Sequence, residues 1–91
     1  MASRGDGTDR APVASDRVPR AFGATLRALR TARRLSQEEL AHRARTSQPY
    51  LSLLEKGRRS PSLTTLCLLA RGLRMTVVEL VAAFERQQGS T

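Results

Sequence analysis

Apolar residues recur every three or four positions from about residue 20 onwards, which is the spacing of one face of an α-helix. Phe22, Leu26 and Leu29 form the first such stripe, and it predicts a helix that ends near Ala32. No segment alternates apolar and polar residues in the way that a half-buried strand does. The pattern therefore predicts an all-α protein.

Helix-start signals divide the following sequence into four more helices. Ser36 with Glu39 three residues later, and Thr76 with Glu79, have the sequence of a capping box. Ser47 is a further N-cap candidate, because Ser side chains accept hydrogen bonds from first-turn amides. These signals and the apolar spacing predict helices over residues 37–44, 48–56, 63–72 and 77–86.

The fourth predicted helix carries an apolar stripe and the only cysteine of the chain. Its predicted inward positions are Leu63, Leu66, Leu69 and Ala70. Cys67 has no second cysteine to pair with, and its apolar surroundings predict a buried structural thiol.

The composition divides the chain into three parts. Residues 1–19 mix Gly, Pro, Ser, Asp and Arg without apolar periodicity, which predicts a flexible tail. Residues 20–86 form the predicted helical domain, and residues 87–91 its frayed end. A chain of 91 residues has room for one domain of this kind.

The charge of the chain indicates a polyanionic partner. The sequence has 16 Lys and Arg against 8 Asp and Glu, a formal net charge of +8. Residues 1–19 carry equal numbers of both signs, so the surplus lies on the predicted domain. A compact basic domain of this kind is typical of nucleic-acid binding. The alternative interpretation is a solvated, arginine-rich surface without a specific partner.

Other classes of protein find little support in the sequence. There is no apolar run of membrane-spanning length and no signal-peptide segment, so we expect a cytoplasmic protein without a membrane partner. His42 and Cys67 lie far apart, His42 is expected to be solvated, and neither metal-ligand spacing nor a phosphate-binding glycine loop occurs. We therefore expect no enzymatic activity, no metal and no cofactor.

Several short motifs follow one another at a spacing typical of one family. They are Leu29-Arg30, Ser36-Gln37-Glu38-Glu39-Leu40-Ala41, Tyr50-Leu51-Ser52, Glu55-Lys56-Gly57-Arg58, Pro61 and Leu73. With these motifs, the segment from about Phe22 to Phe84 resembles the phage repressor/Cro-type (XRE) helix-turn-helix family. The resemblance implies a compact five-helix, lambda-repressor-like DNA-binding domain. In such a domain the helix that starts near Ser47 enters the major groove of double-stranded DNA.

The resemblance also implies roles for individual residues. The residues implied to face base edges, together with the outward Ser52, are Gln48, Pro49, Ser52 and Leu53. The residues expected to contact phosphates are Gln37, Arg45, Ser47, Tyr50, Lys56, Arg58 and Arg59. Arg30 and Glu55 match a partly buried structural ion pair.

Two positions depart from the family pattern. Arg45 stands in the turn where the family usually has Gly, and a left-handed Arg costs about 1 kcal/mol. Pro49 follows the first recognition residue and offers apolar contact but no hydrogen bond. Direct base readout is therefore expected to depend heavily on Gln48.

The fifth predicted helix is apolar on most of its circumference, which favours burial on two sides. One side is expected to pack on the core and the other to form a homodimer contact through Val78, Val81, Ala82 and Phe84.

Together, the motifs, charge and family resemblance predict a bacterial, sequence-specific transcriptional regulator of the repressor type, associated with the nucleoid and without a small-molecule domain. The alternative is an antitoxin-like module on the same fold, which binds a partner protein as well as DNA.

Overall fold

The computed structural model describes the backbone of residues 12–89 and the side chains of residues 17–88. This part of the chain contains five α-helices and no strand. The helices are α1 (Pro12–Ala32), α2 (Gln37–Arg43), α3 (Gln48–Glu55), α4 (Leu63–Gly72) and α5 (Val77–Gly89). The prediction of an all-α, five-helix fold is confirmed. None of these helices within residues 12–89 combines the length and apolar character that a bilayer-spanning segment needs.

Side chains at the predicted N-caps start the helices as the sequence indicated. The Glu39 amide donates to the Ser36 hydroxyl over 3.0 Å, and the Ser36 amide donates to the Glu39 carboxylate over 2.8 Å. Thr76 and Glu79 make the same reciprocal pair at the start of α5. Such caps satisfy amides that have no partner within the helix, and each stabilises the fold by about 1 kcal/mol.

The first four helices all end in a Schellman motif. After α2, the Arg45 amide donates to the His42 carbonyl over 3.2 Å and the Thr46 amide donates to the Ala41 carbonyl over 2.9 Å. The motif needs one residue with positive φ. That residue is Gly57 after α3 (φ 74°), but it is an arginine in the other three cases, Arg34 (φ 58°), Arg45 (φ 56°) and Arg74 (φ 60°).

The core lies between α1, α2, α4 and the inner faces of α3 and α5. Its largest fully buried side chains are those of Leu26, Leu40, Leu51, Leu54, Leu69, Leu73 and Leu80. The Phe22 and Phe84 rings meet edge to face with centroids 6.0 Å apart, which joins α1 to α5. Leucine and alanine therefore fill an interior that has few aromatic residues.

Two predictions for α4 are wrong. Leu63, expected in the core, is 74% exposed, because α4 is buried through its later turns, at Leu69 and Ala70. Cys67, expected to be buried, is exposed, since it lies on the same outward face as Thr64 and Arg71. An apolar run made α4 seem more deeply buried than it is.

The helices at both ends of the domain are longer than predicted. Residues 12–19 are helical rather than tail, because Pro12 suits a first helical turn and Val18 and Pro19 line an apolar cleft with distant Phe84. Likewise α5 continues to Gly89 instead of fraying after residue 86. The predicted tail residues 1–11 and end residues 90–91 lie outside the described part of the chain.

Helices α1 and α3 cross in very close contact at Gly23. A Cβ atom at this position would lie 2.5 Å from the Leu54 carbonyl oxygen and 2.6 Å from that of Glu55. No side chain fits there, so glycine is required for the crossing. The crossing places α1 directly behind the C-terminal end of α3.

Candidate nucleic-acid interface

Helix α3 presents one face to the core and the other outward. Leu51 and Leu54 are fully buried, whereas Pro49 is exposed and Gln48 partly so. The other two predicted base-contacting residues, Ser52 and Leu53, are also partly exposed. Ser47 caps the helix, and its hydroxyl accepts a 3.2 Å hydrogen bond from the Tyr50 amide.

A chain of polar side chains connects the start of α3 to α1. The Gln48 side-chain amide donates to the Gln37 oxygen over 2.6 Å, and the Gln37 amide donates to Glu55 Oε1 over 2.9 Å. Arg30 then donates to the Glu55 carboxylate from Nε over 2.6 Å and from a terminal nitrogen over 3.0 Å. Gln37, expected to bind a phosphate, in this structure links α2 to both ends of α3.

The Arg30–Glu55 pair is largely removed from solvent. The side chains of Arg30 and Glu55 are 11% and 4% exposed, and the Arg30 guanidinium also donates to the Leu35 carbonyl over 2.8 Å. The hydrogen bond to Glu55 raises the pKa of Arg30 further above its already high ordinary value. Removing one partner of such a buried pair costs about 3–5 kcal/mol, because the other charge is left without compensation.

Most of the cations expected to contact phosphates lie together after α3. Lys56, Arg58 and Arg59 are exposed in the turn that Gly57 permits, and within the described residues none of them pairs with a carboxylate. Arg45 is exposed in the turn between α2 and α3. Exposed guanidinium groups at both ends of an outward helix can neutralise phosphates on either side of a groove.

Sequence reasoning missed one cation beside this turn. Arg20 is exposed on α1, and its Cα and Cγ atoms lie 2.8 Å from where a Gly57 Cβ would be. The contact joins residues that are far apart in the chain, so no local sequence pattern predicts it. The approach of Arg20 to Gly57 places this cation beside the turn that carries Arg58.

The four residues predicted for a dimer contact lie on different parts of α5. Val81 and Phe84 line an apolar cleft together with Phe22, Pro61 and Leu66, among others. Val78 is 77% exposed, and Val81 is 37% exposed. Ala82 instead lines a neighbouring cleft whose other residues are Arg33, Arg74, Met75, Glu79 and Arg86.

No metal centre is evident in the described part of the chain. Among these residues no group of three or more His, Cys, Asp and Glu side chains could hold a metal ion. His42 is exposed on α2, as expected.

These features define a class of protein: a five-helix, lambda-repressor-like helix-turn-helix domain in which α2 and α3 form the motif. A family model described as a helix-turn-helix domain matches residues 21–84, well over half of the chain. The chain belongs to this helix-turn-helix family, which confirms the resemblance to the XRE group.

Curated proteins that are similar to this chain are named as regulators or repressors. The chain is 48% identical over 59 residues to an uncharacterized HTH-type transcriptional regulator, y4dJ, of Sinorhizobium fredii, which covers 65% of this chain and 77% of that protein. This chain covers less than half of the length of each of the other curated proteins that it matches.

Two solved structures are similar over most of the domain. The restriction-modification controller protein C.AhdI of Aeromonas hydrophila is 40% identical with a TM-score of 0.66, over 68% of this chain and 94% of that one. The clp gene regulator ClgR of Corynebacterium glutamicum is 30% identical with a TM-score of 0.74, over 79% of this chain and 77% of that one.

Proposed function

We propose that this protein is a sequence-specific transcriptional regulator that binds double-stranded DNA by inserting α3 into the major groove. The observation that carries the proposal is the exposed N-terminal part of α3, with Gln48 and Pro49 outward, between the cations Arg45 and Arg58. An α-helix fits the major groove of B-DNA, where each base pair has a distinct pattern of donors and acceptors. The protein would act on the bacterial nucleoid in the cytoplasm.

The side chains of α3 support a division of roles in readout. Gln48 offers both a donor and an acceptor to a base edge, and Ser52 adds a hydroxyl one turn later. Pro49 and Leu53 offer apolar surface that can contact a thymine methyl group. Gln48 therefore carries most of the hydrogen-bond information in this proposal.

Exposed cations supply affinity that does not depend on sequence. Each phosphate neutralised by Lys56, Arg58 or Arg59 releases counterions, so affinity falls as salt rises. The proposed phosphate contacts of Gln37, Arg45, Ser47 and Tyr50 set the position of α3 in the groove. For Ser47 the contact would be shared with its capping role, because its hydroxyl already accepts from the Tyr50 amide.

A homodimer is part of the proposal. The exposed apolar side chains Val78 and Val81 on α5 are the residues that support it most directly, and Phe84 and Ala82 border them. A twofold dimer of this fold binds two half-sites about 34–36 Å apart, one DNA turn. The DNA target would accordingly be an inverted repeat.

No specific observation favours the antitoxin-like alternative. The similar proteins are named as transcriptional regulators, a clp gene regulator and a controller protein. These names favour regulation through DNA, and they are names of regulators rather than enzymes.

Selection of bound duplexes from a random library tests the proposal. The purified full chain is incubated with the library at two salt concentrations, and the recovered duplexes are sequenced. We expect an inverted repeat to be enriched and the affinity to fall steeply with salt. Equal recovery of all duplexes, or binding that salt does not affect, would contradict the proposed function.

A further inference from the structure

Two hydrogen bonds link Glu55 to Gln37 and Gln37 to Gln48. Glu55 determines which group donates and which accepts in both of them. A carboxylate accepts hydrogen bonds and cannot donate them. Gln37 must therefore turn its amide nitrogen towards Glu55 Oε1, 2.9 Å away, which leaves its oxygen facing Gln48. Gln48 must in turn donate its amide to that oxygen, over 2.6 Å.

The carboxylate at the origin of this chain cannot turn away. Two hydrogen bonds from Arg30 hold both of its oxygen atoms, and its side chain is only 4% exposed. The guanidinium of Arg30 is itself held by a third bond, to the Leu35 carbonyl. The buried and doubly hydrogen-bonded carboxylate of Glu55 thus sets the direction in which the Gln48 amide donates.

The direction decides what Gln48 can offer to a base. With its amide nitrogen turned to Gln37, Gln48 keeps its oxygen and one N–H for the groove, which match the N6 donor and N7 acceptor of adenine. The opposite orientation would offer two N–H groups, which match the two acceptors of guanine, N7 and O6.

We propose that Glu55 is a positioning residue that determines base specificity, because it orients the Gln48 amide for adenine and against guanine. The inference rests on the proposed function, since it assumes that α3 enters the major groove. It assigns to the buried last residue of the recognition helix an effect on which base is chosen.

The test compares two duplexes that differ in one base pair. The position is the one at which Gln48→Ala abolishes preference, and it carries either A·T or G·C in an otherwise identical selected site. We expect the wild-type protein to bind the adenine duplex about tenfold or more tightly, as a bidentate pair allows. In Glu55→Gln the neutral amide can donate as well as accept, so the ratio should fall to within about threefold.

A second variant separates positioning from stability. Gln37→Met leaves the Arg30–Glu55 pair intact but interrupts the chain, so the same loss of adenine preference is expected even if Glu55→Gln folds poorly. Arg58→Ala is the control: it should weaken both duplexes equally and leave their ratio unchanged.

The outcomes are distinguishable. If both variants keep the wild-type ratio, with only weaker binding or a lower Tm, Glu55 has a structural role alone and the inference is overturned. If the wild-type protein shows no preference for any duplex, the proposed function fails and the inference fails with it.

Discussion

Gln48 is the residue on which base preference depends most, because its neighbours Pro49 and Leu53 offer only apolar contact to a base edge. We predict that Gln48→Ala lowers discrimination at one base pair by about 1–3 kcal/mol while the protein keeps its general affinity for DNA. Competition binding with a selected duplex and single-base variants measures this. Unchanged discrimination would mean that another part of the surface reads the sequence.

The matched control for this variant is a cation in the turn after α3. Arg58→Ala should weaken binding to every duplex alike and reduce the slope of log affinity against log salt by about 0.9, the value for one phosphate contact. The two variants together separate the base-specific contribution from the electrostatic one.

At the scale of helices, the left-handed arginines lower stability relative to glycine, although the Schellman motifs need a positive φ at their positions. Arg45 has φ 56° after α2, in a position where glycine has no steric penalty. Arg45→Gly should therefore stabilise the protein by about 1 kcal/mol, which raises the Tm of a domain of this size by about 4–8 °C. Thermal unfolding followed by circular dichroism checks the sign.

The same variant removes a cation next to the proposed DNA surface, so its duplex affinity should fall while its Tm rises. Arg43→Gly is the control, because Arg43 lies within α2 and glycine there is destabilising by about 1 kcal/mol. A lower Tm for Arg45→Gly would show that the arginine contributes contacts that outweigh its strain.

The capping box of α2 makes the stability of this helix depend on pH. The hydrogen bond from the Ser36 backbone amide, with a further contribution from the Ser36 side chain, lowers the pKa of Glu39. The ionised carboxylate therefore stabilises the folded state above its unfolded-state pKa, and this contribution is lost as the pH falls through the lowered folded-state pKa.

We accordingly predict that wild-type protein has a slightly higher Tm than Glu39→Gln at pH 7, and that the difference disappears in acid. Thermal melts from pH 7 down to pH 3 measure it. Glu38→Gln, also in the first turn but outside the capping box, should not reproduce this pH dependence. A constant difference between wild type and Glu39→Gln at all pH values would contradict the assignment.

For the whole molecule, the exposed valines of α5 lead to a prediction about assembly. Val78→Glu combined with Val81→Glu should convert a dimer into a monomer and lower affinity for an inverted repeat much more than for a single half-site. The fold should tolerate Val78→Glu, because Val78 is 77% exposed; Val81 is 37% exposed and lines an apolar cleft, so thermal unfolding of the double variant confirms that it is folded. Sedimentation equilibrium measures the mass, with Ala28→Glu on the exposed side of α1 as control. A wild-type chain that stays monomeric while it saturates the inverted repeat would rule out this interface.

Comparison of sequence and structure shows which features were predictable. Helix starts at Ser36, Ser47 and Thr76 were evident because capping is a local interaction, encoded within four residues. The start of α1 at Pro12 was not, because the apolar cleft that Val18 and Pro19 line is formed with residues far along the chain. Contacts made through space by polar groups are equally invisible to local patterns.

In the candidate site, too, some features were predictable from the sequence and others were not. The Arg30–Glu55 pair was expected from a family resemblance, and the structure confirms it. The bond between Gln37 and Gln48 was missed, because it depends on the angle at which α2 and α3 cross. The sequence therefore identified the residues of the candidate site, whereas the hydrogen bonds between them became evident only from the packing of the helices.

The absence of a side chain at Gly23 also affects how the proposed dimer would treat imperfect targets. Since the α1 backbone lies directly against the last carbonyl oxygens of α3, the two helices have no room to move closer together. A duplex whose groove has the wrong width would then have to bend or twist to fit the protein. The stiffness of the base pairs between the half-sites would consequently alter affinity, even at positions that the protein does not contact.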